Sequence, residues 1–191
     1  MRVLSFDPGQ AYGIAICEDG TVTYSAQKAL PQTGRLVYAI QQVADLIRCH
    51  GLPDLVTVEQ PATLGRGASF DSLAGQWRNV FVWVHAAELA GFAVQWMNPA
   101  TWRALMIREV KATIGAGEDA KAILQLPQAE MSERALGYAV GNDECSAVWM
   151  SLWACANADQ LTPEARKAAK KVKAGERKAA RERKAAKEGA K

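Results

Sequence analysis

Asp7 in FDPG, Glu59 in VEQP and Asp143 in GNDECSAVWMSLWA are acids placed where an apolar run stops or starts. Taken singly, each has an ordinary structural role. An aspartate before Pro-Gly suits a turn, a glutamate can close a strand, and an acid in a first helical turn gains ~0.3–1 kcal/mol from free N–H groups and the helix dipole. Their joint placement is what suggests chemistry. If the first two strands involved are neighbours, Asp7 and Glu59 project from one sheet edge, and a helix laid across that edge brings Asp143 beside them. Crowded carboxylates repel and resist ionisation unless cations neutralise them. Magnesium meets that need because it takes hard oxygen ligands in octahedral geometry and retains waters that a substrate replaces. Two such ions ~3.5–4 Å apart activate water on one side of a phosphodiester and stabilise the leaving oxygen on the other. The expected chemistry is therefore phosphodiester hydrolysis with two magnesium ions, manganese being a substitute, and no covalent enzyme intermediate.

The elements that must hold these acids follow from the pattern. RVLSFD, GIAIC and TVTY, with EDG between the last two, read as three antiparallel strands. Leu36, Ile40, Val43 and Ile47 recur at helical spacing and stop at Gly51 and Pro53, giving a helix over 35–50. DLVTVE is a short apolar strand, a long helix covers 70–90, and FAVQW from Phe92 is another strand. Asn98 and Pro99 read as an N-cap and first-turn proline opening PATWRALM, and Gly115 and Gly117 punctuate the segment after it. The last helix starts at Asn142 or Asp143 and runs through Cys155, with Asn142 placed to cap it. This order predicts an α/β domain with a mixed five-stranded sheet flanked by helices, and the ribonuclease H class is among the folds it suits.

The chain has 191 residues, 49% of them hydrophobic, with six tryptophans, enough for one domain with a substantial core. We place that domain at 1–160 and a tail at 161–191. From Thr162 onward there are 12 Lys or Arg against 4 Glu, a net +8, whereas residues 1–161 carry 11 against 16, a net −5. With almost nothing to bury, the tail is expected to be solvated, disordered or transiently helical, acting either as a solubilising extension or as an arm for nucleic-acid phosphates. No apolar run approaches the ~20 residues that span a bilayer, so a cytosolic protein without a membrane partner is expected. Cys17, Cys49, Cys145 and Cys155 show no paired spacing and read as small apolar residues rather than zinc ligands or disulfides.

At these residues the chain resembles the RuvC family of Holliday junction resolvases, particularly its bacterial and bacteriophage members. FDPGQAYGIAI is similar to the family's opening Asp-Pro-Gly strand, VEQP to its Glu-Gln, and LAGQWRNV to its Gly-Gln-x-Arg. EVKATIGAGEDAKA resembles the Val-Lys, Gly-x-Gly, Lys segment with its two lysines one residue closer than usual, and DECSA resembles Asp-x-x-Asp-Ala. The resemblance implies a ribonuclease H-like fold, a homodimer, and two-metal nicking of paired strands at a four-way DNA junction, in a bacterial cytosol or phage-infected cell. It carries Asp7, Glu59 and Asp143 over as metal-binding catalytic acids, and Lys111 and Lys121 as basic residues close to the scissile phosphate, Lys121 among the catalytic set. Two departures bear on function. The family's fourth acid falls on Ser146, so three acids suffice, or Glu144 substitutes, or the chain is a catalytically weakened scaffold that binds branched DNA. Where the family often has an aromatic after Glu-Gln, this chain has Ala62, Thr63 and Leu64, leaving Leu64 or Phe70 to wedge between bases beside Gly65–Gly67.

On the helix over 70–90, Phe70, Leu73, Trp77, Val80, Phe81 and Val84 form a stripe that Val82 and Trp83 widen beyond one sheet face. Such a width predicts a homodimer built on this helix, the alternative being a deeply buried core helix. Arg66, Arg78, Arg103, Lys111 and Lys121 are the basic residues expected to track phosphates, with Trp96 and Trp102 in the core and His50 and His85 structural. An actin-like ATPase or sugar kinase opens with a similar hairpin but needs a second phosphate hairpin, which this sequence lacks.

Overall fold

The computed structural model describes residues 1–61 and 70–158, so Ala62 to Ser69, with Leu64 and Arg66 among them, and the basic tail lie outside the described residues. Met1–Ala156 forms one compact unit, and the architecture below is that of this unit.

Three antiparallel strands open the chain: β1 (Arg2–Asp7), β2 (Ala11–Glu18) and β3 (Thr21–Ala29). The tight β2–β3 turn puts Asp19 and Gly20 at positive φ. Helix α1 (Arg35–His50) crosses to β4 (Leu55–Glu59), and α2 (Phe70–Leu89) leads to β5 (Val94–Met97). Helices α3 (Pro99–Thr113), α4 (Ala120–Ile123), α5 (Gln128–Leu136) and α6 (Asn142–Ala156) follow. The sheet has five strands in the order β3-β2-β1-β4-β5, with β1, β4 and β5 parallel and β2 and β3 antiparallel. This is the mixed sheet that the sequence pattern predicts. Asn98 caps α3 as expected, its side chain accepting from the Ala100 N–H at 2.9 Å.

Side-chain alternation along the central strands sorts residues into two layers. Leu4, Phe6, Val56 and Val58 point into the layer built with α1 and α2, where Phe6 stacks on Trp83 at 4.5 Å between ring centres. Ser5 and Thr57 alternate to the opposite face, where their hydroxyls pair at 2.6 Å and satisfy each other in a fully buried setting. Asp7 and Glu59 are two residues further on and share that face. The inward residues of α1 are Ala39, Val43 and Leu46, with Leu36 exposed. The helix is thus rotated slightly from the stripe its periodicity suggests, with Ala39 turned inward in place of Leu36.

Helix α6 lies on the Ser5–Thr57 face and is buried over most of its length, from Cys145 to Ser151 and again at Ala154. Its neighbours α3 and α5 are tied to it through Ser132, which accepts from the Trp149 indole at 2.7 Å and pairs with Cys145. The start of α6 sits directly on β2 at Gly13. A Cβ built at Gly13 would run into the Asp143 carbonyl and lie 2.7 Å from the Glu144 nitrogen. Gly13 is therefore required by contact and not by a special backbone angle, and it sets how close Asp143 comes to the sheet edge. Gly13→Ala should displace the α6 N-terminus at an overpacking cost of ~1–3 kcal/mol, read as a thermal midpoint lower by several degrees. An unchanged midpoint would show that the contact relaxes freely.

Candidate active site

Asp7 and Glu59 leave the C-terminal ends of β1 and β4, adjacent parallel strands in which Phe6 pairs with Val58. One strand spacing, ~4.8 Å, therefore separates their backbones, with both side chains on the α6 face. Asp143 in the first turn of α6 and Ser146 one turn along complete the wall of a cavity of about 420 Å3, to which Gln76 of α2, Arg103 of α3 and Gln128 of α5 also contribute. The three acids expected to meet do line one cavity.

Burial sets the electrostatics here. It raises Glu59 to about 8, with the neighbouring charge of Asp7 adding to the shift, and it raises Asp7 to about 6, with Asp143 adding to that. The Ser146 hydroxyl beside Asp7 favours its carboxylate, and the Arg103 guanidinium lowers both acids. The two carboxyls hold a proton between them, as expected when two acids sit side by side out of water. Asp143 is raised by burial. The indole N–H of Trp102, fully buried, faces Glu59 closely enough to favour its ionised form but reaches no acceptor at hydrogen-bonding geometry. Trp102 also carries the Arg103 guanidinium 5.1 Å from its ring centre, holding that cation over the mouth of the cavity.

Glu144 does not take the place of a fourth acid. Its carboxylate accepts from Ser25 of β3 at 2.5 Å and from the Gly141 N–H at 3.1 Å, so it faces away from Asp7 and caps its own helix. The Asp143 N–H donates to Gln27 of β3 at 3.2 Å. Capping thus comes from Glu144 and Gln27, and Asn142, expected to cap, lines the cavity instead. Arg78 on α2, Lys111 in the last turn of α3 and Lys121 on α4 are exposed, and none is among the residues lining the cavity. Arg66 lies outside the described residues. Gln76 and Gln128, not singled out from sequence, do line it. Of the basic residues expected to track phosphates, Arg103 lines the cavity: α3 starts at the same sheet edge as the acids, directly after β5, so its N-terminal turns border them.

A scan against protein-family models finds no match, and no curated protein sequence matches the chain. Solved structures do. RuvC from Thermus thermophilus in complex with a Holliday junction substrate aligns with a TM-score of 0.57 at 17% identity, covering 85% of this chain and 97% of that one. A second structure of Thermus thermophilus RuvC aligns with a TM-score of 0.51 at 18% identity, covering 84% and 96%. The chain has the ribonuclease H-like fold of RuvC. The likeness is one of fold, and the site must be judged on its own residues.

Among the described residues, no three His, Cys, Asp or Glu side chains are gathered closely enough to hold a metal ion as they stand. The donor set nonetheless fits a hard divalent cation. Three carboxyl oxygens of one chemistry line one cavity, two are pushed up by burial and mutual repulsion, and the buried Trp102 donor faces the glutamate that an added cation would ionise. The pH dependence follows. The folded chain holds protons on Asp7 and Glu59 that the unfolded chain releases near pH 4, so stability contributed by this pair falls as pH rises from about 4 to about 8. In chelator, Glu59→Gln should therefore have a higher thermal midpoint than wild type at pH 8 and a shallower loss from pH 5 to 8. Magnesium should raise the wild-type midpoint at pH 8 and leave Glu59→Gln nearly unmoved; equal responses would separate Glu59 from metal binding.

Proposed function

We propose that the chain is a magnesium-dependent, structure-selective endodeoxyribonuclease that resolves four-way DNA junctions by symmetric paired nicks. The observation that carries the reading is the meeting of Asp7, Glu59 and Asp143, with Arg103 beside them, in one cavity of a fold shared with a RuvC solved on a Holliday junction substrate. Divalent ions held by the three acids would supply the neutralising charge, the activation of water and the stabilisation of the leaving oxygen. The chain's own groups supply the rest. Arg103, stacked on Trp102, is positioned to bind a non-bridging oxygen of the scissile phosphate and hold it over the acids. Ser146 fixes the orientation of Asp7 through its hydroxyl, and Trp102 offers Glu59 an N–H donor once that group is a carboxylate. Lys111 and Lys121, outside the cavity lining, serve the flanking backbone.

A homodimer through α2 completes the proposal. The inner face of this helix, Val80, Trp83, Val84 and Ala87, is core, but Phe70 is 77% exposed, Phe81 44% and Leu89 69%. Trp77, Phe81 and Trp96 form an aromatic cluster beside them, with Trp77 and Phe81 5.4 Å apart. A second copy covering this face would set two identical cavities about one two-fold axis, the symmetry of two nicks in paired strands.

The neutral Ser146 favours a second reading, a branched-DNA-binding scaffold with weakened catalysis, and a cleavage assay on a synthetic four-way junction with magnesium separates the two. Asp7→Asn should reduce nicking by at least ~100-fold with junction affinity within a few-fold of wild type, and Arg103→Ala should reduce the nicking rate more than Lys111→Ala does. Binding without nicks by the wild type, with cleavage restored by Ser146→Asp, would instead favour the scaffold. Deleting residues 162–191, which carry a net +8, should weaken DNA binding and flatten its salt dependence. An unchanged slope would make the tail a solubilising extension.

A further inference from the structure

Helix α6 carries Asp143 in its first turn and Cys155 in its last, ~18 Å apart along the axis. Cys155 opens onto a second cavity, of about 460 Å3, walled by Leu105, Leu136, Trp149 and Leu152. The acids on its lining, Asp19 and Glu109, are already paired, Asp19 with the Met1 amino group and Glu109 with Arg108 at 2.8 Å. The cavity therefore suits a small neutral molecule with aliphatic character.

Behind Cys155 lies Cys17 of β2, fully buried. The Cys155 thiol lies 3.6 Å from the Cys17 carbonyl and 3.7 Å from the Met1 carbonyl. The arrangement has an outer sulfur that the cavity reaches and an inner sulfur that is reached only through it. The electrostatics assign the same order. The Cys17 hydrogen bond, opposed by burial, brings Cys155 down to about 7, with the Gly20 N–H and the Met1 amino group assisting and Asp19 opposing. The same pairing and burial push Cys17 well above the usual thiol range. A thiolate whose pKa lies near ambient pH is the effective attacker in disulfide exchange, and its buried neighbour is placed to resolve.

We propose that Cys155 and Cys17 form a modification site for small neutral aliphatic disulfides, with Cys155 attacking and Cys17 resolving to close an internal disulfide between α6 and β2. In the first step the Cys155 sulfur bonds to one sulfur of the reagent, whose S–S bond breaks to release one thiolate. In the second, Cys17 loses its proton to solvent and attacks the Cys155 sulfur, displacing the second thiolate. The two protein sulfurs are oxidised, the reagent is reduced to two thiols, and the protein loses two hydrogens. The product ties the helix bearing Asp143 and Ser146 covalently to the strand that Gly13 holds against it, and the site does not depend on the nuclease reading.

The test exposes the full chain at neutral pH to bis(hydroxyethyl) disulfide, blocks remaining thiols and maps peptides by mass spectrometry. The wild type should give a Cys17–Cys155 linked peptide, while exposed Cys49 gives only a mixed disulfide. Cys17→Ser should arrest the reaction at a reagent adduct on Cys155, and Cys155→Ser should leave Cys17 unreacted. Adduct formation at Cys155 in Cys17→Ser should be several-fold faster than at Cys49 in the same molecule. A stable adduct on Cys155 in the wild type, reaction of Cys17 without Cys155, or a linked peptide found only in denaturant would overturn the proposal. Because the readout is the wild-type peptide map, a poorly folding variant does not remove the test.

Discussion

Parallel pairing of β1 with β4 brings Asp7 and Glu59 one strand spacing apart, and the packing of α6 across the same face then takes both out of water. Nothing in the hydrophobic effect favours this. The cost is visible in two carboxyls whose ionisation is displaced upward and which must share a proton, with Arg103 the nearby cation that eases both. Structures keep buried like-charge pairs where the pair has work to do, because replacing either acid with a neutral residue relieves the strain. Much of the molecule's architecture around this edge can be understood as fixing the pair. The Ser5–Thr57 hydroxyl bridge continues the same face inward, and Phe6, stacked on Trp83, anchors β1 from the other side.

Bringing a third acid to that edge depends on how closely a helix end can approach a strand. Gly13 removes the side chain that would keep them apart, and the two capping contacts come from outside the first-turn acid: Gln27 takes the Asp143 N–H, and Glu144 takes the Gly141 N–H while held by Ser25. Capping and cavity lining are thereby divided between adjacent acids. Glu144 serves the helix, leaving the Asp143 carboxyl to the cavity. The family-like second glycine of FDPGQAYG and the acidic pair of NDE are two halves of one contact.

Those acids were legible in the sequence because each marks the end of an element, and element ends are what apolar periodicity locates best. The succession of elements and the mixed five-stranded sheet followed from the same pattern, whereas the strand order that makes β1 and β4 neighbours did not. What stayed hidden depends on distances that no local pattern encodes. The family resemblance puts Lys111 and Lys121 near the phosphate, but α3 continues unbroken to Thr113 and carries Lys111 away from the edge, while Arg103 near the start of the helix borders the acids. Gln76 and Gln128 reach the cavity from α2 and α5 only through tertiary packing. Glu144 and Asp143 are indistinguishable as first-turn acids until β3 is placed beside one of them. The Cys17–Cys155 contact joins residues 138 apart, which a count of thiol spacings along the chain does not anticipate.

The position of Ser146 turns these contacts into a question of charge. Were it acidic, a fourth negative group would be buried against Asp7, and the shared proton between Asp7 and Glu59 would be held still more tightly without metal. A hydroxyl relieves that load: beside Asp7 it favours the carboxylate form, and its 5% exposure leaves it enclosed with the pair it supports. The metal-free fold gains from the exchange. On the proposed nuclease reading, a bound cation would lose one ligand charge, so a second ion would rely more on waters and on substrate phosphate oxygens. A site with this charge balance would couple its second ion to the arrival of DNA, because the phosphate supplies the negative charge that Ser146 does not.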